Sequence, residues 1–227
     1  MRSLPVKGLV AECFGTFALV FAGTAAIVID NVTGGAVTHV GVALTFGLVV
    51  LALIYSVGEV SGAHLNPAVT IGFWAARRFP ASRLAPYLCS QIAGALLASL
   101  LVHLLFPAAA ALGGTRPTGS AFQSFILEIV LTWFLMLVIL SVSTGAKEKG
   151  ITAGVAIGSV IALEALFAGP ISGASMNPAR SLAPAVVGGN LDGLWIYLLA
   201  PVIGALCAVP LCRCIHAPGC CDEESTR

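Results

Sequence analysis

The sequence predicts an all-α membrane protein, with six transmembrane helices and two re-entrant half-helices arranged as an inverted 3+3 repeat. Three observations point there. Of 227 residues, 58% are apolar and only 9% charged, too little charge to cover a soluble domain of this size. Six apolar runs each approach the ~20 residues that a helix needs to cross a bilayer. One octapeptide occurs twice, as SGAHLNPA from Ser61 to Ala68 and SGASMNPA from Ser172 to Ala179, the mark of an internal duplication. The net charge of +1 and the scattered bases offer nucleic acid no electrostatic footing, which excludes that class.

The first run, Val6 to Ile29, follows Arg2 and Lys7 as a signal peptide would. It is too long for a cleaved apolar core and carries Glu12, so it reads as a span. The second span is Val37 to Val57. Next comes a short apolar segment, Pro67 to Ala76, whose roughly ten residues reach only about halfway across a bilayer as a helix. Leu84 to Phe106, Phe122 to Ser143 and Ile151 to Ala168 are spans three to five. A second short segment, Pro178 to Val187, precedes span six, Leu191 to Ile215. Asn favours the N-cap and Pro the first helical turn, so Asn66-Pro67-Ala68 and Asn177-Pro178-Ala179 read as the starts of two half-helices.

The duplication extends upstream, where Glu12 and Thr16 match Glu128 and Thr132, and GVAL from Gly41 matches GVAI from Gly154. Each half therefore holds three spans and a half-span, and an odd number of crossings inverts the second half, a recurring plan of membrane transport proteins. One domain, 1–227, is expected, with repeats at about 6–106 and 120–215 and a Cys-rich tail at 216–227. With both ends on one side, Arg2, Lys7, Arg77, Arg78, Arg83, Lys147, Lys149, Arg213 and Arg227 share that side, against Arg116 and Arg180 opposite. The positive-inside rule puts both termini in the cytoplasm of a multi-pass protein.

Two half-helix N-termini meeting at mid-membrane carry partial positive charge. If each Asn oxygen caps its helix, its NH₂ is fixed and can point into a lumen as a donor. A water or alcohol can offer its oxygen there, while protons and cations are repelled. Irregular backbone survives at this depth only inside protein or along a wet cavity, so the carbonyls of Gly62, Ala63, His64 and Leu65, and of Gly173, Ala174 and Ser175, are expected to face a pore. That is conduction without a chemical step or a cofactor.

Several groups carry a second reading. Glu12 and Glu128, at matched places, are expected to hold backbone N–H groups of the re-entrant loops; with Glu164 they are also the only support for an ion-coupled transporter. Glu164 is expected to accept hydrogen bonds from a neighbouring loop. His39 and His103 read as interfacial residues without a special role. Cys212, Cys214, Cys220 and Cys221 lie in LCRCIHAPGCC, where a reducing cytoplasm disfavours disulfides. They form either a soft-metal or arsenic site or a free or lipidated tail. No nucleophile, base or metal cluster for an enzyme appears outside that tail.

Together the two NPA boxes, AECFGT from Ala11 and NPARS from Asn177 resemble the aquaporin, or major intrinsic protein, family over nearly the whole chain. GPISGASMNPARSLAPA and LWIYLLAPVIGA are most similar to its nodulin-like members and their bacterial relatives. The resemblance implies a homotetramer in the cell membrane, surrounded by lipid, with one pore per protomer. It also implies an aromatic/arginine selectivity filter on the outer side of the NPA boxes, falling on Phe46, Ala165, Ala174 and Arg180. Water-selective relatives usually have His where Ala165 stands, so a wider opening is expected. The implied solutes are water, glycerol and the metalloid acids of arsenic, boron and silicon, with a strict water channel as the alternative. His64 matches a family histidine that edges the pore and braces its loop. Glu59 stands where relatives often have His, either as a gating group or as a solvated charge beside Arg77 or Arg78.

Overall fold

The structure, a computed structural model, describes residues 6–143 and 147–215. These form eight helices in the order α1 (Val6–Thr33), α2 (Thr38–Ser61), α3 (Pro67–Ala75), α4 (Ala81–Leu105), α5 (Ala121–Val142), α6 (Lys147–Ser172), α7 (Pro178–Val187) and α8 (Leu194–Ile215). All but α3 and α7 contain a stretch long and apolar enough to cross a membrane, and the protein is a multi-pass membrane protein. Its outward side chains include Val10, Phe14, Leu48, Leu97, Phe134 and Leu199, a surface that suits lipid rather than water.

The helices run past several apolar runs. α1 continues through Asp30 to Thr33, because hydropathy marks only the part in hydrocarbon while backbone hydrogen bonding continues into the interface. α6 passes through Pro170 to Ser172 rather than stopping at Ala168. α8 starts three residues later than its run, after the turn at Gly193 (φ 68°), and α3 stops at Ala75 with Ala76 as its C-cap.

Packing repeats the duplication. α1 packs on α4 as α5 packs on α8, and each half-helix rests on the last span of both repeats. Small residues permit the closest approaches. A side-chain carbon on Gly94 of α4 would strike the Cys13 carbonyl of α1, and one on Gly204 of α8 would strike the Ile129 carbonyl of α5. At the centre, α2 crosses α6 where Gly47 and Gly158 each face the other's carbonyl; a Cβ would lie 2.5 and 2.6 Å from it.

Candidate functional site

The loops before the two half-helices follow the same path. Gly62, Ala63 and Leu65 have φ of 87°, 46° and 52°, and Gly173, Ala174 and Met176 have 85°, 41° and 53°. Non-glycine residues pay a steric penalty there, so the surroundings must hold them. Glu12 Oε1 accepts from His64 N (2.9 Å) and Oε2 from Leu65 N (2.7 Å). Glu128 accepts from Ser175 N and Met176 N, both at 2.9 Å. The Ser61 and Ser172 hydroxyls accept from Ala63 N and Ala174 N at 3.0 and 3.1 Å. Tyr87 and Tyr197 donate to the carbonyls of the same two serines at 3.0 and 2.6 Å. Only Glu12 and Glu128 of these supports were singled out from the sequence. The tyrosines were open to the same argument, because YLCSQIAGAL from Tyr87 and YLLAPVIGAL from Tyr197 extend the repeat.

Asn66 Oδ1 caps α3 by accepting from Ala68 N at 2.8 Å, and Asn177 Oδ1 caps α7 by accepting from Ala179 N (3.0 Å) and Arg180 N (3.3 Å). The amide NH₂ groups are only partly as expected. Asn66 Nδ2 donates to the Met176 carbonyl (2.7 Å) and Asn177 Nδ2 to the Leu65 carbonyl (3.0 Å). Each amide therefore ties its half-helix to the opposite loop and keeps one hydrogen for the lumen. The Leu65 carbonyl, expected to face the pore, thus has Asn177 as one donor.

A cavity of about 950 Å³ runs through the centre. Glu59, Arg78 and Ser143 stand at one end, Asn66 and Asn177 beside its middle, and Phe46, Ala165 and Arg180 at the other end. Its walls are mostly apolar, with Leu19, Val50, Val69, Leu135, Ile139 and Ile157 among them. Gly62, Ala63, His64 and Leu65 line it from one loop, and Ala174, Ser175 and Met176 from the other. The α-carbon of Gly173 faces the α4–α5 connection, where a Cβ would meet Thr115 at 3.0 Å.

Phe46, Ala165, Ala174 and Arg180 all line this cavity. Arg180 is 2% exposed, its Nη1 donates to the Gly113 carbonyl at 2.9 Å, and its Cζ lies 5.0 Å from the Phe46 ring centroid, within cation–π range. The Phe46 ring leans on Gly23, where any side chain would collide with it. Gly113 has φ 68°, and a Cβ on it would lie 2.6 Å from the Thr24 carbonyl; both make glycine the residue that can present this carbonyl. Ser181 bonds Thr115 Oγ1 (2.8 Å) and Ser175 Oγ (2.5 Å), joining α7 to both loops. Nothing in the sequence pattern pointed to Gly113.

Other expectations change. Glu164 is fully buried, and none of the described residues hydrogen-bonds to either of its carboxyl oxygens, against the bonds expected from a neighbouring loop. Position 164 turns away from the cavity that Ala165 lines. Glu59 is exposed at the mouth, as a solvated charge would be, and Arg78 Nη1 on the same rim donates to the Leu140 carbonyl (3.0 Å) and Ser143 Oγ (3.2 Å). His64 Nδ1 lies 3.2 Å from Thr70 Oγ1, and its ring packs among Phe73, Phe79 and Tyr87. His39 is not a bystander: its Nε2 bonds the Leu166 carbonyl at 2.7 Å. At the end of α8, Cys212 is buried and Cys214 is exposed and free. Cys220 and Cys221 lie outside the described residues, and among those described no cluster fit for a metal ion forms.

Comparison with known proteins agrees with this architecture. A family model described as major intrinsic protein matches residues 2–211. The chain is 47% identical over 199 residues to aquaporin NIP1-3 of Oryza sativa subsp. japonica, covering 87% of this chain and 70% of that protein. It is 48% identical over 202 residues to nodulin-26 of Glycine max, covering 88% and 74%. Among solved structures, the aquaglyceroporin from Plasmodium falciparum superposes with a TM-score of 0.82 at 27% identity, over 92% of this chain and 99% of that one.

Proposed function

Because the chain belongs to the major intrinsic protein family, whose members are channels for water and small solutes, we propose that it conducts a broad set of neutral hydroxylated molecules. These are water, glycerol and the uncharged acids of arsenic, boron and silicon. The observation that carries this reading is the pairing of Ala165 with Ala174 at the end of the cavity. Two methyl groups there leave the Phe46 ring and the Arg180 guanidinium as the large groups of the constriction.

Such an opening has two faces. The ring presents an apolar surface to the carbon side of a polyol, and the guanidinium presents fixed donors to its oxygens. Beyond it, the solute oxygen meets the remaining amide hydrogens of Asn66 and Asn177, and its hydroxyls meet the carbonyls of Gly62, Ala63 and His64 on one loop and of Ala174 and Ser175 on the other. The buried Arg180 and the N-termini of α3 and α7 make the path unfavourable for cations and protons. Glu12 and Glu128 are loop braces in this scheme, since their oxygens are engaged by backbone N–H groups. That supports passive conduction over ion coupling.

The same proposal includes a homotetramer in the cell membrane with both chain ends in the cytoplasm, supported by the placement of the basic residues and the apolar outer helix faces. Stopped-flow swelling of proteoliposomes under gradients of water, glycerol, boric acid and arsenite tests the solute range. Each should equilibrate faster than in protein-free vesicles. Water alone passing would restrict the protein to a strict water channel, and failure of all four would end the channel reading.

A further inference from the structure

α6 does not stop at Pro170, and this leaves a defect. Proline has no N–H, so the carbonyl four residues earlier, that of Leu166, loses its helical partner. An unpaired carbonyl facing lipid is costly, and this one lies on the exposed side of the helix pair near the start of α2. Here His39 of α2 supplies the missing donor, with Nε2 2.7 Å from Leu166 O. A carbonyl oxygen can only accept, so Nε2 carries the hydrogen.

Two further features fit this contact. Gly169 makes room for the imidazole: a Cβ there would stand 2.9 Å from His39 Cε1. The start of α2 is pinned, for Asp30 Oδ1 accepts from Val37 N (3.1 Å) and Thr38 N (2.7 Å), holding Thr38 at φ 64° immediately before the histidine. The freed carbonyl and the hollow beside it lie on α6, and the anchored donor lies on α2.

The position of the bond gives it a consequence. His39 precedes Phe46 by two helical turns on the same face of α2, and Leu166 directly follows Ala165. The two helices touch at Gly47 and Gly158 and are joined again at His39 and Leu166, with the constriction between the two points. We propose that His39 is a positioning residue of the selectivity filter, whose hydrogen bond to Leu166 sets the separation of α2 and α6 and hence the largest solute admitted between Phe46 and Ala165. This rests on the reading of those residues as the filter.

The test compares permeability to water, glycerol and the four-carbon polyol erythritol in proteoliposomes. His39→Phe keeps a ring for the Gly169 hollow and removes the donor. It should raise erythritol relative to water several-fold, while His39→Gln, which restores an N–H, should return the wild-type ratio. In a Pro170→Ala background Leu166 regains a helical partner, so His39→Phe should change the ratio less. Water flux in each variant verifies that the channel has folded. An unchanged ratio in His39→Phe, no rescue by Gln, or an undiminished effect with Pro170→Ala would overturn the inference. Ala165→His is run in parallel: if it suppresses glycerol while His39→Phe does nothing, only this inference fails, and if it too has no effect, the filter reading fails with it.

Discussion

Two neighbouring residues of α6, Ala165 and Glu164, divide the work of that helix between pore and packing. Ala165 lines the constriction, where an added imidazole would occupy space opposite Arg180 and place a polar edge against a polyol's carbons. Ala165→His should therefore lower glycerol permeability more than water permeability, and swelling assays on one preparation give both values; equal losses would count against this residue as a filter wall. Glu164 is fully buried with no hydrogen-bond partner for its oxygens among the described residues, so its burial carries a desolvation cost that none of them offsets. Glu164→Leu should leave permeability unchanged and hold the thermal midpoint at or above that of the unsubstituted protein, because an apolar group of similar volume removes that cost. Glu128 is the contrast. Glu128→Leu strands the N–H groups of Ser175 and Met176, at ~1–3 kcal/mol for each orphaned group, and should lower both the midpoint and the flux. A fall in midpoint in Glu164→Leu comparable to that in Glu128→Leu would mean that Glu164 holds something the protein needs.

At the scale of elements, what could be read from the sequence depended on whether the signal was local. The starts of α3 and α7 were legible because Asn-Pro states a helix beginning in two residues, and both side chains do cap. The six crossings were legible because hydrocarbon imposes a length. Helix ends were not, since the transition from hydrocarbon to interface changes the hydropathy without ending backbone hydrogen bonding, as from Asp30 to Thr33. The end of α6, past Ala168 and through Pro170, was illegible for a different reason: proline leaves one carbonyl without its helical partner, and the group that bonds it here, His39, lies 127 positions away in the chain. Tertiary partners of single carbonyls leave no periodic trace, which is also why Gly113 was missed and Glu164 misassigned. Matching the halves recovered more than composition could. It placed Glu12 beside Glu128, and carried further it would have paired Tyr87 with Tyr197 and Gly94 with Gly204.

At the scale of the whole molecule, the duplicated halves oppose their half-helices so that both N-termini point at the middle of one lumen. The amide hydrogens of Asn66 and Asn177 lie in the same layer, and Arg180 adds a fixed charge toward one end. A neutral molecule exchanges water's hydrogen bonds for those of the wall as it moves. An ion loses its hydration to a wall whose central groups are donors, and a chain of water molecules is forced to turn its oxygens toward that centre. The buried carboxylates Glu12 and Glu128 are occupied with loop N–H groups, which argues against either carrying a proton as a solute advances. Glycerol entry into proteoliposomes should thus stop at equal concentrations inside and out, and collapsing an imposed pH gradient with a protonophore should not alter its rate. An internal pH dye in the same vesicles should show the imposed gradient decaying no faster than in protein-free vesicles. Accumulation above the external concentration, or a proton leak that grows with glycerol flux, would instead assign Glu12, Glu128 or Glu164 to a coupled cycle, because only a carboxylate that gives up its loop contacts or its burial during transport could link the two fluxes.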